Sequence, residues 1–245
     1  MNKSNIAIKL DQVSKHYTQK RNRLTNSDHA VLENVSFTIR RGEKIGIYGT
    51  NGAGKTTLLK IIAGVTHPSN GQVEVFGKIA TIMDLESGFH PDMTGRDNVL
   101  VNAVLWGMTL NQAKSKLSSI KDFSGIKESF ENKFFTYSSG MKFRLAFATA
   151  IASDCDIIIL DEVFASGDLN FQAKVASYLS RIQTDKKITT IMCSHVPAMI
   201  WKFASTYYHI HSSRVKKIPR TQLEISINKE AKKWKDIYAI NRDIL

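Results

Sequence analysis

Apolar residues in this chain fall mainly into short runs separated by polar turns, with stretches of helical spacing between them. Ile6-Ala7-Ile8-Lys9-Leu10 alternates and predicts a strand. Val13-Ser14-Lys15-His16-Tyr17 follows, and the polar, basic stretch from Thr18 to Asp28 predicts a loop. Val31 to Ile39 has strand character, Arg40-Arg41-Gly42-Glu43 reads as a turn, and Ile45-Gly46-Ile47-Tyr48 is an apolar strand. A glycine-rich segment comes next, then Thr57 to Ala63 with helical character. Gly64 to Asn70, holding Pro68, is a loop; Gly71 to Phe76 and Ile79 to Met83 are short strands. Gly88 to Gly95, holding Pro91, is a further loop.

From Arg96 to Asp122 the apolar spacing becomes helical, as two helices broken near Gly107. A connector through Gly125 and Lys133 leads to Tyr137-Ser138-Ser139-Gly140-Met141 and a helix over Lys142 to Ala152. Ile157-Ile158-Ile159-Leu160 is continuously apolar, as expected of a strand covered on both faces. Asp168 to Gln183 is helical, Ile188 to Cys193 is another central strand, Pro197 to Ala204 a short helix, and Tyr207 to Ile210 with Val215 to Ile218 a hairpin. In the tail from Thr221 to Leu245, Leu223, Ile227, Ala231, Trp234 and Ile237 recur at helical spacing. Lys229, Lys232, Lys233 and Lys235 occupy the positions between them. That pattern is a helix packed on the domain with a solvated lysine face, or alternatively a membrane-surface or partner contact.

With 245 residues, one globular unit is the natural expectation. Lys and Arg number 34 against 22 Asp and Glu, a net charge of +12. That charge suits an anionic ligand, a membrane surface or nucleic acid and does not choose among them. No apolar run reaches the roughly 18 residues of a membrane span, and the first residues lack the apolar core of a secretion signal. Cys155 and Cys193 each adjoin an apolar run and are expected as buried, reduced thiols of a cytoplasmic protein.

The chemistry concentrates at Gly49-Thr50-Asn51-Gly52-Ala53-Gly54-Lys55-Thr56, between a strand and a helix. This is the phosphate-binding P-loop pattern. Glycines let backbone N–H groups converge without a Cβ in the way, and the helix start adds free donors. Lys55 is placed to reach β- and γ-phosphates, and the Thr56 hydroxyl to bind Mg²⁺. Downstream, the strand ending in Asp161-Glu162 suits a nucleotide hydrolase: Asp161 for Mg²⁺ through water, Glu162 to orient and polarise the attacking water. His195 lies two residues beyond the next strand, where a neutral imidazole can meet a γ-phosphate. Ser138, Ser139 and Gly140 place two hydroxyls and a glycine at a helix start, either a plain cap or a second anion site. Two cradles suit two antiparallel copies, each sealing the nucleotide of the other. His209 and His211 share one strand face and read as ordinary strand residues.

With these residues in hand, the chain resembles the ATP-binding-cassette (ABC) ATPases over about residues 6–218. The order matches: P-loop, helical insertion, signature at Tyr137 to Met141, the acids at Asp161-Glu162, the segment Ala165-Ser166-Gly167-Asp168, and His195. Three segments resemble the narrower group of bacterial polysaccharide exporters, which serve capsule, O-antigen and teichoic acid. They are Leu85 to Asn98, Tyr137 to Phe147, and Asp161 to Asp168. Two departures from the general family, Ser139 for Gly and Met141 for Gln, are usual in that branch. The loop that normally carries a metal-contacting Gln offers only Asp84 and Glu86.

The resemblance implies an α/β P-loop NTPase fold with a RecA-like core, an antiparallel β subdomain and an α-helical subdomain. The ATPase domain is expected over 1–218, with its helical part at about 89–152, and a helical tail over 219–245. ATP and Mg²⁺ are the implied cofactors. Tyr17 falls where the family stacks an aromatic on adenine; Gly49 to Thr57, Ser138, Ser139, Gly140 and Asp168 are implied nucleotide contacts. Glu162, His195 and Lys55 are the implied catalytic set, with Thr56 and Asp161 on the metal. The implied partners are a second copy and an integral membrane permease contacted by the lobe from Phe89 to Ser138, with no nucleic acid. The implied place is the cytoplasmic face of the inner membrane, peripherally bound. The chain ends about 27 residues after residue 218, too few for the carbohydrate-binding β-domain some relatives add, so glycan choice is expected elsewhere. Rival expectations are a cassette for another cargo, a soluble ABC ATPase of ribosomes or nucleic acid, and a P-loop kinase. Soluble cassettes generally carry two copies per chain, whereas one P-loop and one signature occur here, and no substrate-lid pattern suits a kinase.

Overall fold

The computed structural model describes residues 5–22, 25–83, 88–162, 168–185, 187–195 and 197–229. In chain order the strands are β1 (Ile6–Asn22), β2 (Thr25–Arg40), β3 (Lys44–Tyr48), β4 (Asn70–Val75), β5 (Ile79–Ile82), β6 (Ile157–Asp161), β7 (Thr189–Ser194), β8 (Thr206–His211) and β9 (Arg214–Ile218). The helices are α1 (Lys55–Ile62), α2 (Gly95–Leu105), α3 (Leu110–Ser124), α4 (Ser139–Ala152), α5 (Leu169–Gln183) and α6 (Pro197–Phe203). A seventh, α7, occupies 220–229.

The strands form two sheets. A six-stranded sheet has the order β5-β6-β7-β3-β8-β9, parallel except for β9 at the edge. A three-stranded antiparallel sheet has the order β2-β1-β4. Alternation along β6 explains its unbroken apolar run. Ile157 and Ile159 pack with β1, β2, β3 and α1, while Ile158 and Leu160 pack with α4 and α5. All four are at most 1% exposed, each contributing about 1.5–3 kcal/mol of apolar burial. The sheet is covered on both faces, so its strand ends are the places left for chemistry.

The expected break between two helices falls where the sequence placed it. Gly107, at φ 100, turns the chain after α2, and Thr109 starts α3 with a capping box to Gln112. Gly125, at φ 68, ends α3 in the left-handed conformation that suits glycine. The helix expected over Lys142 to Ala152 begins three residues earlier, with Ser138 as its cap.

One expectation is overturned. The described residues between Thr18 and Asp28 are not a loop: β1 runs on to Asn22 and β2 begins at Thr25, pairing Thr18 with Asp28, Gln19 with Ser27, Lys20 with Asn26 and Asn22 with Thr25. Hydropathy is blind here because a polar ladder is held by backbone hydrogen bonds rather than by an apolar face.

At the other end, Leu223 and Ile227 of α7 pack against Ile200, Ala204, Tyr207 and Ile218. The Trp201 indole is clasped there, its N–H donating to Glu224 Oε1 at 3.1 Å and the Arg220 guanidinium 4.3 Å from a ring centroid. This supports the packed-helix reading for the first part of the tail; Ala231, Lys232, Lys233, Trp234, Lys235 and Ile237 lie outside the described residues. Cys193 is buried, Cys155 partly so, and both are free thiols. Among the described residues no helix is long and apolar enough to cross a membrane.

Candidate functional site

The glycine loop joins the end of β3 to α1, at the carboxyl edge of the central sheet. Its glycines are required by geometry. Gly54 has φ 101, and a Cβ there would come within 2.9 Å of the Val31 carbonyl oxygen. A Cβ on Gly49 would meet the Ile210 carbonyl oxygen at 2.8 Å. The loop therefore lies directly on β2 and β8 with no room for a side chain.

Lys55 is 7% exposed. Its ammonium donates to the carbonyl oxygens of Gly49 at 2.8 Å and Thr50 at 3.2 Å, and lies 3.8 Å from Glu162 Oε1. The Thr56 hydroxyl donates to Asp161 Oδ2 at 2.6 Å. The other oxygen, Asp161 Oδ1, is buried with no hydrogen-bond partner among the described residues. Burial pushes the Asp161 carboxyl above the usual carboxylate range; the Thr56 hydrogen bond opposes that shift. A hard cation shared by the Thr56 hydroxyl and Asp161 fits this donor set, since it supplies the missing partner and the missing positive charge.

Glu162 follows the strand with φ 50, a left-handed backbone uncommon for a non-glycine residue. Its own N–H donates to the Cys193 carbonyl at 3.0 Å. The carboxylate is then held by β7 and the turn after it: the His195 N–H donates to Oε1 at 3.0 Å and the Ser194 hydroxyl to Oε2 at 3.2 Å. His195 Nδ1 lies 2.9 Å from Oε2, which assigns the ring proton to Nδ1 in the neutral tautomer.

A cleft of about 490 Å³ unites much of the expected set. Tyr17, Asn51, Gly52, Gly54, Lys55, Thr56, Thr57 and Glu162 line it. Asp161 joins through Thr56, and His195 through Glu162. Gly49, Thr50 and Ala53 form the loop backbone, with the Ala53 N–H donating to the Thr50 carbonyl at 3.2 Å. His29 and Val31 also line the cleft and were missed by sequence reasoning. The signal that finds them is strand register, because His29 stands directly across from Tyr17.

Ser138, Ser139, Gly140 and Asp168 are not among the residues lining this cleft. Ser138 caps α4, accepting from the Met141 N–H at 3.2 Å. Asp168 caps α5, accepting from the Phe171 N–H at 2.9 Å, and its other oxygen is 3.5 Å from an Arg144 guanidinium nitrogen. The Phe171 amide, then Arg144, hold its carboxyl below the usual range. Asp84 and Glu86, and the segment Ala165-Ser166-Gly167, lie outside the described residues. His209 and His211 stack on each other at 5.8 Å, with His209 stacked 5.2 Å from Tyr48.

The segment before α2 is fixed by two buried asparagines. The Asn98 side-chain amide donates to the carbonyls of His90 and Thr94 at 2.9 and 3.0 Å and accepts from the His90 N–H. Asn102 donates to the Gly88 carbonyl at 2.7 Å. Backbone bonds from Phe134 to Met93 and from Phe135 to Pro91 tie the same loop to the stretch leading into Tyr137.

Comparison with known proteins agrees with this geometry. Residues 32–165 match the family model described as ABC transporter. The chain is 34% identical over 208 residues to the O-antigen export system ATP-binding protein RfbB of Klebsiella pneumoniae, covering 85% of this chain and 84% of that one. It is 35% identical to the teichoic acids export ATP-binding protein TagH of Bacillus anthracis over 77% of this chain, but spans only 34% of that longer protein. Among solved structures, a dimeric ATP-binding cassette in a post-hydrolysis state with ADP and Pi superposes with a TM-score of 0.73 at 22% identity, covering 86% of this chain and 99% of that one. That likeness establishes the cassette fold. By its motifs, its fold and its relatives, the chain belongs to the ABC transporter family.

Proposed function

We propose that this chain is the ATP-hydrolysing subunit of an exporter that moves a polysaccharide or lipid-linked glycan through a separate membrane permease. The observation that carries the hydrolytic part is the fixed Glu162 carboxylate, held by His195 and Ser194 and facing Lys55 in the cleft. The glycan cargo rests on the relatives named for O-antigen and teichoic acid export. We take 1–218 as the ATPase unit, with its helical lobe at about 89–152, and 219–245 as an appended tail at the cytoplasmic face of the membrane.

In this reading Tyr17 stacks on adenine, and the loop from Gly49 to Thr57 wraps the phosphates with its N–H groups. When phosphate arrives, the Lys55 ammonium exchanges the Gly49 and Thr50 carbonyls for phosphate oxygens. Thr56 and Asp161 would hold Mg²⁺, which when bound would neutralise phosphate charge. Glu162 accepts a hydrogen bond from the attacking water and orients it in line with the γ-phosphorus. His195 reaches the γ-phosphate through Nε2. Donating from both ring nitrogens at once, to Glu162 and to phosphate, takes the imidazolium form.

Ser138, Ser139, Gly140 and Asp168 act from a second copy in this proposal, across an antiparallel pair. The lobe from Phe89 to Ser138 carries the permease contact. Its exposed Met93, Val101, Val104, Leu105, Leu110 and Phe135 support that assignment. The test is Glu162→Gln protein with ATP in light scattering: an ATP-dependent dimer is expected, and its absence defeats the paired site. Replacing Ser138 and Gly140 together is expected to abolish turnover. Capture of an integral membrane protein from native membranes, encoded beside glycosyltransferases, tests the cargo.

A further inference from the structure

One wall of the cleft is built by two strands, and register sets its side chains. Tyr17 on β1 stands directly across from His29 on β2. Opposite residues of antiparallel strands project to one face, with Cβ atoms about 4.5–5.5 Å apart. Val31, two residues on, shares that face, and all three line the cleft that holds Lys55.

The strand bearing His29 is held in place. The Val31 carbonyl touches the loop at Gly54, leaving no room for a Cβ there. The turn between β8 and β9 grips the same strand: the Ser213 hydroxyl donates to the Ala30 carbonyl at 2.7 Å, and the Glu33 N–H donates to the Ser213 carbonyl at 2.7 Å. Tyr17 is already engaged, with the Lys15 ammonium 5.1 Å from its ring centroid and held by the His67 carbonyl at 2.8 Å. His29 differs: it is exposed, and its ring makes no hydrogen bond or ion pair among the described residues.

We propose that His29 is a second contact to the nucleotide base. The base lies against the Tyr17 ring, and the His29 imidazole hydrogen-bonds its edge. This deepens the nucleotide reading of the cleft and rests on it. An aromatic face grips any base by stacking and does not read its edge. A neutral imidazole offers one donor and one acceptor. Either finds a match on adenine, whose N6 amine donates and whose N7 accepts. Affinity for the base then comes from the paired strands, and affinity for the phosphates from the loop.

The test separates those two contributions. The full chain is titrated calorimetrically with Mg²⁺–ADP and with Mg²⁺–pyrophosphate, which carries no base. His29→Ala is expected to weaken ADP binding about 3- to 10-fold, the worth of one hydrogen bond, and to leave pyrophosphate binding unchanged. Thermal unfolding of the nucleotide-free variant should match the parent, and His29→Gln should recover part of the ADP affinity. Unchanged ADP binding in His29→Ala overturns the proposal. So does an equal loss for pyrophosphate, which marks a general disturbance of the hairpin. If the unsubstituted chain binds neither probe, the nucleotide reading itself fails and this contact falls with it.

Discussion

The Lys55 ammonium lies 3.8 Å from Glu162 Oε1, linking the glycine loop to the end of β6. The pair is mostly withdrawn from water on the lysine side, so its charges interact more strongly than a surface pair. The lysine is also bonded to two loop carbonyls, which phosphate oxygens displace in the proposed cycle. Lys55→Ala removes the one lysine or arginine among the described residues that line the cleft. We expect ATP turnover to fall by about 10²–10³, the scale seen when a charge-stabilising donor is removed from an active site, with ADP affinity falling too. Phosphate release and ADP titration check both; near-normal turnover would remove Lys55 from the mechanism.

Asn98 and Asn102 are 0% and 1% exposed on α2, the helix that follows the loop at 88–94. Their amides add side-chain donors to loop carbonyls, two of which also carry a backbone bond. Asn98→Ala leaves the half-buried His90 N–H without its partner, while the His90, Met93 and Thr94 carbonyls keep backbone donors. We expect a loss of about 1–3 kcal/mol of stability, the cost of one buried group left unpaired. Urea unfolding of the variant measures it, and a loss within error of zero would show that water replaces the amide.

What the chain discloses to a reader of sequence is what local spacing encodes. The glycine loop, the aliphatic strand ending at Asp161 and Glu162, and the helix break near Gly107 follow from residues close together, and the structure realises each. The hairpin through 18–28 and the wall residues His29 and Val31 depend on which strand faces which, and register is not written in a polar stretch. Asn98 and Asn102 are polar residues within the stretch of helical spacing from Arg96, and nothing local says that a loop folds over them. Nor does spacing show that the Arg144 guanidinium links α4 to the Asp168 cap of α5.

Gly95 shows how tightly the loop and the signature approach are packed. A Cβ there would lie 2.1 Å from the Tyr137 hydroxyl oxygen and 2.9 Å from the Phe130 carbonyl oxygen. Tyr137 cannot easily yield, because its hydroxyl donates to the Ser129 carbonyl at 2.6 Å and its ring packs tilted against Phe134 at 5.4 Å. Burial has pushed that phenol up to about 12, so it stays a donor at any working pH. Gly95→Ala is expected to cost about 1–3 kcal/mol by overpacking. Adding Tyr137→Phe removes the closest clash and should recover part of the loss. Thermal unfolding of both variants decides; a double variant no better than the single would place the strain on the Phe130 carbonyl instead.

His209 gives the fold a pH dependence with a definite sign. Burial first, and the neighbouring His211 second, lower its pKa below the ordinary 6.5. Among the described residues its neighbours include Tyr48 on β3, His211 on its own strand and Lys216 directly across on β9, none of them an anion. Between 6.5 and the lower native value the unfolded chain binds the proton more readily than the folded one. Stability from this residue is therefore fully present above that window and falls as the pH drops through it. His209→Gln removes the titrating ring. The variant should lose less stability than the parent between roughly pH 7 and 5.5, while the two curves run parallel at higher pH. Unfolding midpoints across that range provide the measurement. A variant as acid-sensitive as the parent would move the dependence to another histidine.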